Sequence, residues 1–201
     1  MEIDLLTDFR SETWLCTSLT TRSPKEITVR ITNLEKTLFY RLSPEDFKRN
    51  SGYCREIDRK WVALSEAVKE CALVDYKFPA KACEIAKCLL AMRNMNSMIA
   101  VLQGIRTASR ENAIPPDLAE YSRSDFNYAS IRQAVRGRPG LPFLFAHRRQ
   151  YELHGLLELK LLFNTIISFA DDPCGGGRRQ ALQEAKPTSS TLWGAILPCF
   201  A

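Results

Sequence analysis

With 201 residues, 45% apolar and 25% charged, the chain is long enough for one domain with a sizeable core and has an ordinary globular composition. Its formal charge of +5 is mild and suits an acidic protein surface as well as nucleic acid. Seven cysteines, an odd number thinly spread, argue against a secreted disulfide framework, and no apolar run is long enough to span a bilayer.

Residues 1–10 carry three acidic side chains and no signal-type apolar core, so no targeting segment is expected. Leu5, Phe9, Trp14, Leu15 and Leu19 form a possible amphipathic lead-in, and the Thr/Ser-rich residues 17–23 read as a linker. Ser23-Pro24-Lys25-Glu26 is a helix start: serine as cap, proline at the first helical position, glutamate in the first turn. Ile27, Ile31, Leu34 and Leu38 then recur at helical spacing. Ser43-Pro44-Glu45-Asp46 repeats the start signal ahead of Phe47, and Asn50-Ser51-Gly52 reads as a turn. Residues 55–74 form the next helix, with Ile57, Trp61, Leu64, Val68, Cys71 and Ala72 on one stripe.

Residues 80–106 are apolar nearly all round, which predicts a helix buried on several sides and makes this stretch the hub of the domain. A polar interruption, Arg93-Asn94-Met95-Asn96-Ser97, divides it. Such groups are costly to bury unless each finds a partner, and Asn94 and Asn96 are expected to cap helix ends and satisfy backbone. Residues 107–125, with Pro115-Pro116, read as a loop holding a short helix near 118–121. Residues 126–135 read as helical, 137–142 as a rigid turn, and 143–153 and 156–170 as two amphipathic helices meeting at His154-Gly155. Residues 174–201, rich in Gly, Pro and Ser, read as a largely disordered tail. The expected fold is all-α: a lead-in over 1–25, a compact multi-helix domain over 26–173, and the tail.

Chemical signatures are missing. Gly175-Gly176-Gly177-Arg178-Arg179 lacks the Lys-Ser/Thr ending of a phosphate loop. His147 and His154 share a helix face without a third ligand nearby, so no metal or cofactor is expected. Cys83 and Cys88 read as core fillers. The basic pairs Arg136/Arg138, Arg148/Arg149 and Arg178/Arg179 lack interleaved aromatics, so no nucleic-acid partner is expected.

The hub resembles the catalytic domain of Ras-type guanine-nucleotide exchange factors, the RasGEF family. In that family a helix ending in Asn-aromatic-Asn-small leads into an apolar helix; here stand Asn94-Met95-Asn96-Ser97, then Gly104-Ile105-Arg106-Thr107. Residues 31–47, with Leu42-Ser43-Pro44-Glu45-Asp46-Phe47, resemble its opening helix and continuation. Trp61-Val62-Ala63, Asn127-Tyr128-x-x-Ile131-Arg132 and Leu141-Pro142-Phe143-Leu144 resemble three further elements, in the family's order. The likeness covers residues 26–170.

The resemblance implies a cytoplasmic protein, recruited to a membrane through a partner rather than by insertion, that ejects GDP from a Ras-family small GTPase without covalent chemistry. In the family a helical hairpin wedges beside the nucleotide and sends an acidic and an apolar side chain toward it; Glu152 and Leu153 are the local candidates. Arg106, Tyr128, Arg148 and Arg149 are the expected GTPase contacts. Residues 108–116 and 145–150 depart from the family pattern, and the link to Leu156-Leu157-Glu158-Leu159-Lys160 is shorter than usual. On those departures rest two alternatives: a scaffold that keeps the core without the wedge, or a truncated product with no stable function. The GTPase and the oligomeric state are left open.

Overall fold

The computed structural model describes residues 12–125, 127–136 and 138–170, which belong to one compact unit ending at Ala170. The readings of residues 1–11 and of the tail lie outside the described residues. The architecture is all-α, with helices α1 (Glu12–Thr21), α2 (Pro24–Arg41), α3 (Pro44–Arg49), α4 (Gly52–Val74), α5 (Phe78–Ala91), α6 (Met95–Thr107), α7 (Pro116–Ala119), α8 (Ala129–Val135), α9 (Leu144–His154) and α10 (Leu156–Ala170). Single 3-10 turns at Glu111–Ala113 and Glu120–Ser122 bridge α6 to α8 around α7. No described helix is long and apolar enough to cross a membrane.

Local chemistry sets the starts. At α2 the Glu26 amide donates to Ser23 Oγ at 3.3 Å while Glu26 Oε2 accepts from the Ser23 amide at 3.1 Å, a closed capping box. Ser43 and Asp46 repeat it at α3, at 3.0 and 3.4 Å. Asn50, left-handed at φ 50°, ends that helix.

The lead-in differs from the expected linker. Residues 12–21 are helical, and Leu15 and Leu19, four apart, are buried against the core. Composition misleads here because the Thr20 and Thr21 hydroxyls bond back to the Cys16 and Thr17 carbonyls, at 3.0 and 2.7 Å, and so tolerate helix.

The centre is α6. Met95, Met98, Ile99, Val101, Leu102 and Ile105 are all buried, with α4 on one side, α5 on another and α2 crossing the α5–α6 junction. Helix α6 approaches α4 tightly at Gly104, where a Cβ would lie 2.5 Å from the Ser65 carbonyl oxygen and 2.7 Å from Val68 Cβ. Only a residue without a side chain fits. Gly104→Ala should therefore push α4 and α6 apart and destabilise the fold by about 1–3 kcal/mol, read as a lower urea midpoint; an unchanged midpoint would sink this account of the packing.

Asn94 and Asn96 are fully enclosed. Asn94 Oδ1 caps α6 by accepting from the Ser97 amide at 3.0 Å, and its Nδ2 donates to Thr32 Oγ1 at 3.2 Å. Asn96 Nδ2 donates to Glu35 Oε1 at 2.8 Å. Burial pushes the Glu35 carboxyl above its ordinary value of 4.5, against the lowering pull of Asn96, Ser97 and Asn94. Glu35 Oε2 and Ser97 Oγ are buried without a hydrogen bond of normal geometry, so those dipoles only partly offset the desolvation. A carboxyl raised in the folded state binds its proton more tightly there than in the unfolded chain. Its contribution to stability is then fully present below pH 4.5 and is lost as pH rises through the folded value. Glu35→Gln keeps an acceptor for Asn96 and removes the titration. The gap between variant and wild-type urea midpoints should widen in the variant's favour from pH 4.5 towards neutrality; parallel profiles would refute it.

Candidate functional site

The break between α5 and α6 reaches across the chain to residues 139–141. The Leu141 amide donates to the Arg93 carbonyl at 2.9 Å, and the Leu141 carbonyl accepts from the Met95 amide at 2.9 Å, giving a one-residue parallel bridge. Arg93, left-handed at φ 57°, donates from its guanidinium to the Pro139 and Ala134 carbonyls, the latter at 3.0 Å. Three carbonyl and amide groups of the irregular 139–141 segment, and one near the end of α8, are thereby satisfied. The segment delivers Phe143 to the core and starts α9.

Around Phe143 the aromatic rings gather. Trp61 of α4 stacks on it at 5.8 Å between centroids, Tyr128 meets it edge-on at 5.1 Å, and Phe145 lies 5.9 Å away. Phe143 is buried, Trp61 and Tyr128 are half-buried, and Phe145 is 51% exposed. Tyr128 and Asn127 are both left-handed at φ 55°, a conformation that costs a bulky residue about 1 kcal/mol or more. Asn127 fixes it: its Nδ2 donates to the Ala146 carbonyl at 2.8 Å and its carbonyl accepts from Arg132 Nε at 2.9 Å. The strain sets the Tyr128 ring between Phe143 and Phe145, 6.3 Å from the latter.

Along α9, Phe145, Arg149, Glu152 and Leu153 follow at i, i+4, i+7 and i+8, so they share a face. All four are exposed, Leu153 at 71%. The opposite face is held by Leu144, His147 and Gln150. His147 Nδ1 lies 2.6 Å from Glu158 Oε1, a buried pair between α9 and α10. Arg148 Nη2 donates to Asp58 of α4, at 2.7 and 2.9 Å, and the Tyr151 ring packs edge-on against Phe47 of α3 at 5.8 Å. On α10, the Phe169 ring lies under Lys36 Nζ of α2 at 4.4 Å. The two-helix hairpin is therefore seated on the body while its tip, Glu152 to Leu157, faces solvent. Gly155 makes the corner at φ 55°, ψ −129°, a region essentially closed to side-chain-bearing residues.

The expected site residues thus divide. Tyr128, Arg149, Glu152 and Leu153 fall on or beside one surface running from the aromatic cluster to the hairpin tip. Arg148 does not join them; its guanidinium is committed to Asp58 in a part-buried pair against α4. Arg106 also has structural work, donating from Nη1 to the Ser122 carbonyl at 2.7 Å and fixing the 3-10 turn after α7. His147 and His154 lie seven apart on α9 and so on one face, but His147 is buried against Glu158 whereas His154, at the end of the helix, is exposed. Cys83 is a buried filler as expected, while Cys88 is half-exposed. Sequence reasoning missed Phe145. Its signal was the run Phe143-Leu144-Phe145, in which a helix cannot bury all three.

No protein-family model matches the chain, and no curated protein matches it.

Proposed function

We propose that this domain binds a Ras-family small GTPase and promotes GDP release, with the exposed face of α9 as its working surface. The observation that carries the reading is the arrangement of the motif residues. Asn94, in the segment that resembles the RasGEF signature, pairs directly with Leu141 at the head of the helix that carries Glu152 and Leu153. An acidic and an apolar side chain then stand together, unengaged by the body, at the tip of a hairpin whose base is fixed. Trp61, Tyr128 and Phe145 supply an amphipathic aromatic patch of the kind that anchors protein interfaces. Across residues 106–154, eight arginines against five acids complement an acidic switch surface.

The mechanism is one of linkage. A protein that binds the nucleotide-free GTPase more tightly than the loaded one must weaken nucleotide binding by the same factor. Rigid seating of the hairpin matters because every kcal/mol spent bending it is lost from that difference.

The test is release of labelled GDP from purified Ras-, Rap- and Ral-type GTPases in the presence of the full chain. Faster release from at least one is expected. Glu152→Ala and Leu153→Ala should each slow it by roughly tenfold, with the thermal midpoint unchanged because both side chains are exposed. Stable binding to the nucleotide-free GTPase without faster release would replace this reading with the scaffold, and neither binding nor release across the panel would end it.

A further inference from the structure

Helix α1 lies before the stretch that carries the GTPase-exchange likeness, and its contact with α4 contains two cysteines. Cys16 is half-buried on α1 and Cys71 is buried on α4, 55 residues apart in sequence. Each approaches the backbone of the opposite helix: Cys71 Sγ lies 3.9 Å from the Cys16 carbonyl oxygen, and Cys16 Sγ lies 3.8 Å from the carbonyl oxygen of Ala67. Ala67 is one helical turn before Cys71. Side chains in a helix lean toward the N-terminal turn, so the Cys71 sulfur projects over the Ala67 carbonyl to which Cys16 Sγ is bonded. The two thiols are thus neighbours across the α1–α4 seam, near enough for the Cys16 thiol to act on the Cys71 thiol. Helix α1 is also held independently, by Leu15 and Leu19 in the core and by Lys81 Nζ of α5, which donates to the Thr20 carbonyl at 2.7 Å. Two thiols held together by packing form a bond without a search through conformations.

We propose that Cys16 and Cys71 are a reversible modification site, joined as a disulfide when the chain meets a low-molecular-weight disulfide such as oxidised glutathione. The half-exposed Cys16 thiolate attacks one sulfur of the small disulfide, forms a mixed disulfide and expels the first small thiol. Cys71 then loses its proton and attacks the Cys16 sulfur, and the second small thiol leaves. Two protein thiols are oxidised and one small disulfide is reduced to two thiols. The order follows from access and acidity: burial and the neighbouring Cys16 thiol push the Cys71 thiol up to about 12, so it acts second, on a sulfur already beside it. The product staples α1 to α4, the helix that also carries Trp61, and it closes a loop long enough for the bond to stabilise the fold substantially. This inference is independent of the exchange reading.

The folded full chain is incubated with oxidised glutathione, alkylated, cut with trypsin and analysed by mass spectrometry without reduction. Residues 11–22 hold Cys16 and residues 70–77 hold Cys71, each as their lone cysteine. The expected product is these two peptides joined, two hydrogens lighter than their sum and separated by reductant. The oxidised chain should melt roughly 5–15 °C higher, a rise that Cys16→Ser abolishes. Cys16 and Cys71 recovered as thiols, as stable glutathione adducts, or bonded to other cysteines would overturn the proposal, as would a cross-link that forms only in denaturant.

Discussion

A chain that changes direction inside a hydrophobic core leaves amide and carbonyl groups where water cannot reach them, and each one unpaired costs about 1–3 kcal/mol. Between α5 and α6 that problem is met from two sides. Asn94 satisfies the start of α6 with its side chain, and Leu141 satisfies Arg93 and Met95 with its backbone. The second solution ties a segment nearly fifty residues downstream to the middle of the core. Because Leu141 is fixed there, Phe143 and the first turn of α9 are fixed too. The polar break is therefore the joint through which the buried hub positions the exposed hairpin.

From that joint outward the structure trades relaxed backbone for placement. Arg93, Asn127 and Tyr128 are all left-handed without being glycine, and all three border the residue 139–146 segment through hydrogen bonds or ring contacts. Strain of this kind persists only where surroundings over-determine it, and it concentrates at surfaces that must present a side chain in one orientation. The hairpin is treated similarly. His147 with Glu158, Arg148 with Asp58, and Tyr151 with Phe47 brace the inner face of α9 and of the hairpin, and the outer face has no such bracing. The hairpin is thus rigid below and exposed above, which is what the proposed GTPase contact requires.

Much of this was legible in the sequence because the signals were local. Both Ser-Pro starts, the buried hub, its division near Asn94 and the pair of final helices follow from cap chemistry and from period, which need no knowledge of distant residues. The errors were of the other kind. Residues 17–23 read as linker because threonine content suggests loop, yet Leu15 and Leu19 find a core surface on α4 and carry the helix through Thr21. Arg148 and Arg149 read as equivalent, but neighbours on a helix point about 100° apart. Only the position of Asp58, ninety residues earlier, decides which of them turns inward. Local chemistry is written in the local sequence; the phase of a helix against its neighbours is not.

The same distinction explains why the core carries a carboxyl at all. The apolar stripe of α2, Ile27, Ile31, Leu34 and Leu38, repeats with the helix, so on packing alone α2 could slide by about one turn, 5.4 Å, along α5 and α6 and still bury leucine and isoleucine. Thr32 and Glu35 break that degeneracy. One meets Asn94 and the other Asn96, and a shift of a turn, which would bring Ile31 or Phe39 against Asn96, would leave that buried amide and the Glu35 carboxyl without partners. The penalty for the wrong register, at about 1–3 kcal/mol for each group stranded, exceeds any difference that methyl groups could supply. Glu35 raises the energy of the native state by being buried, and raises that of the shifted states further. It thereby fixes the level at which Asn94 sits against α2, and with it the height at which Leu141 must join and α9 must begin.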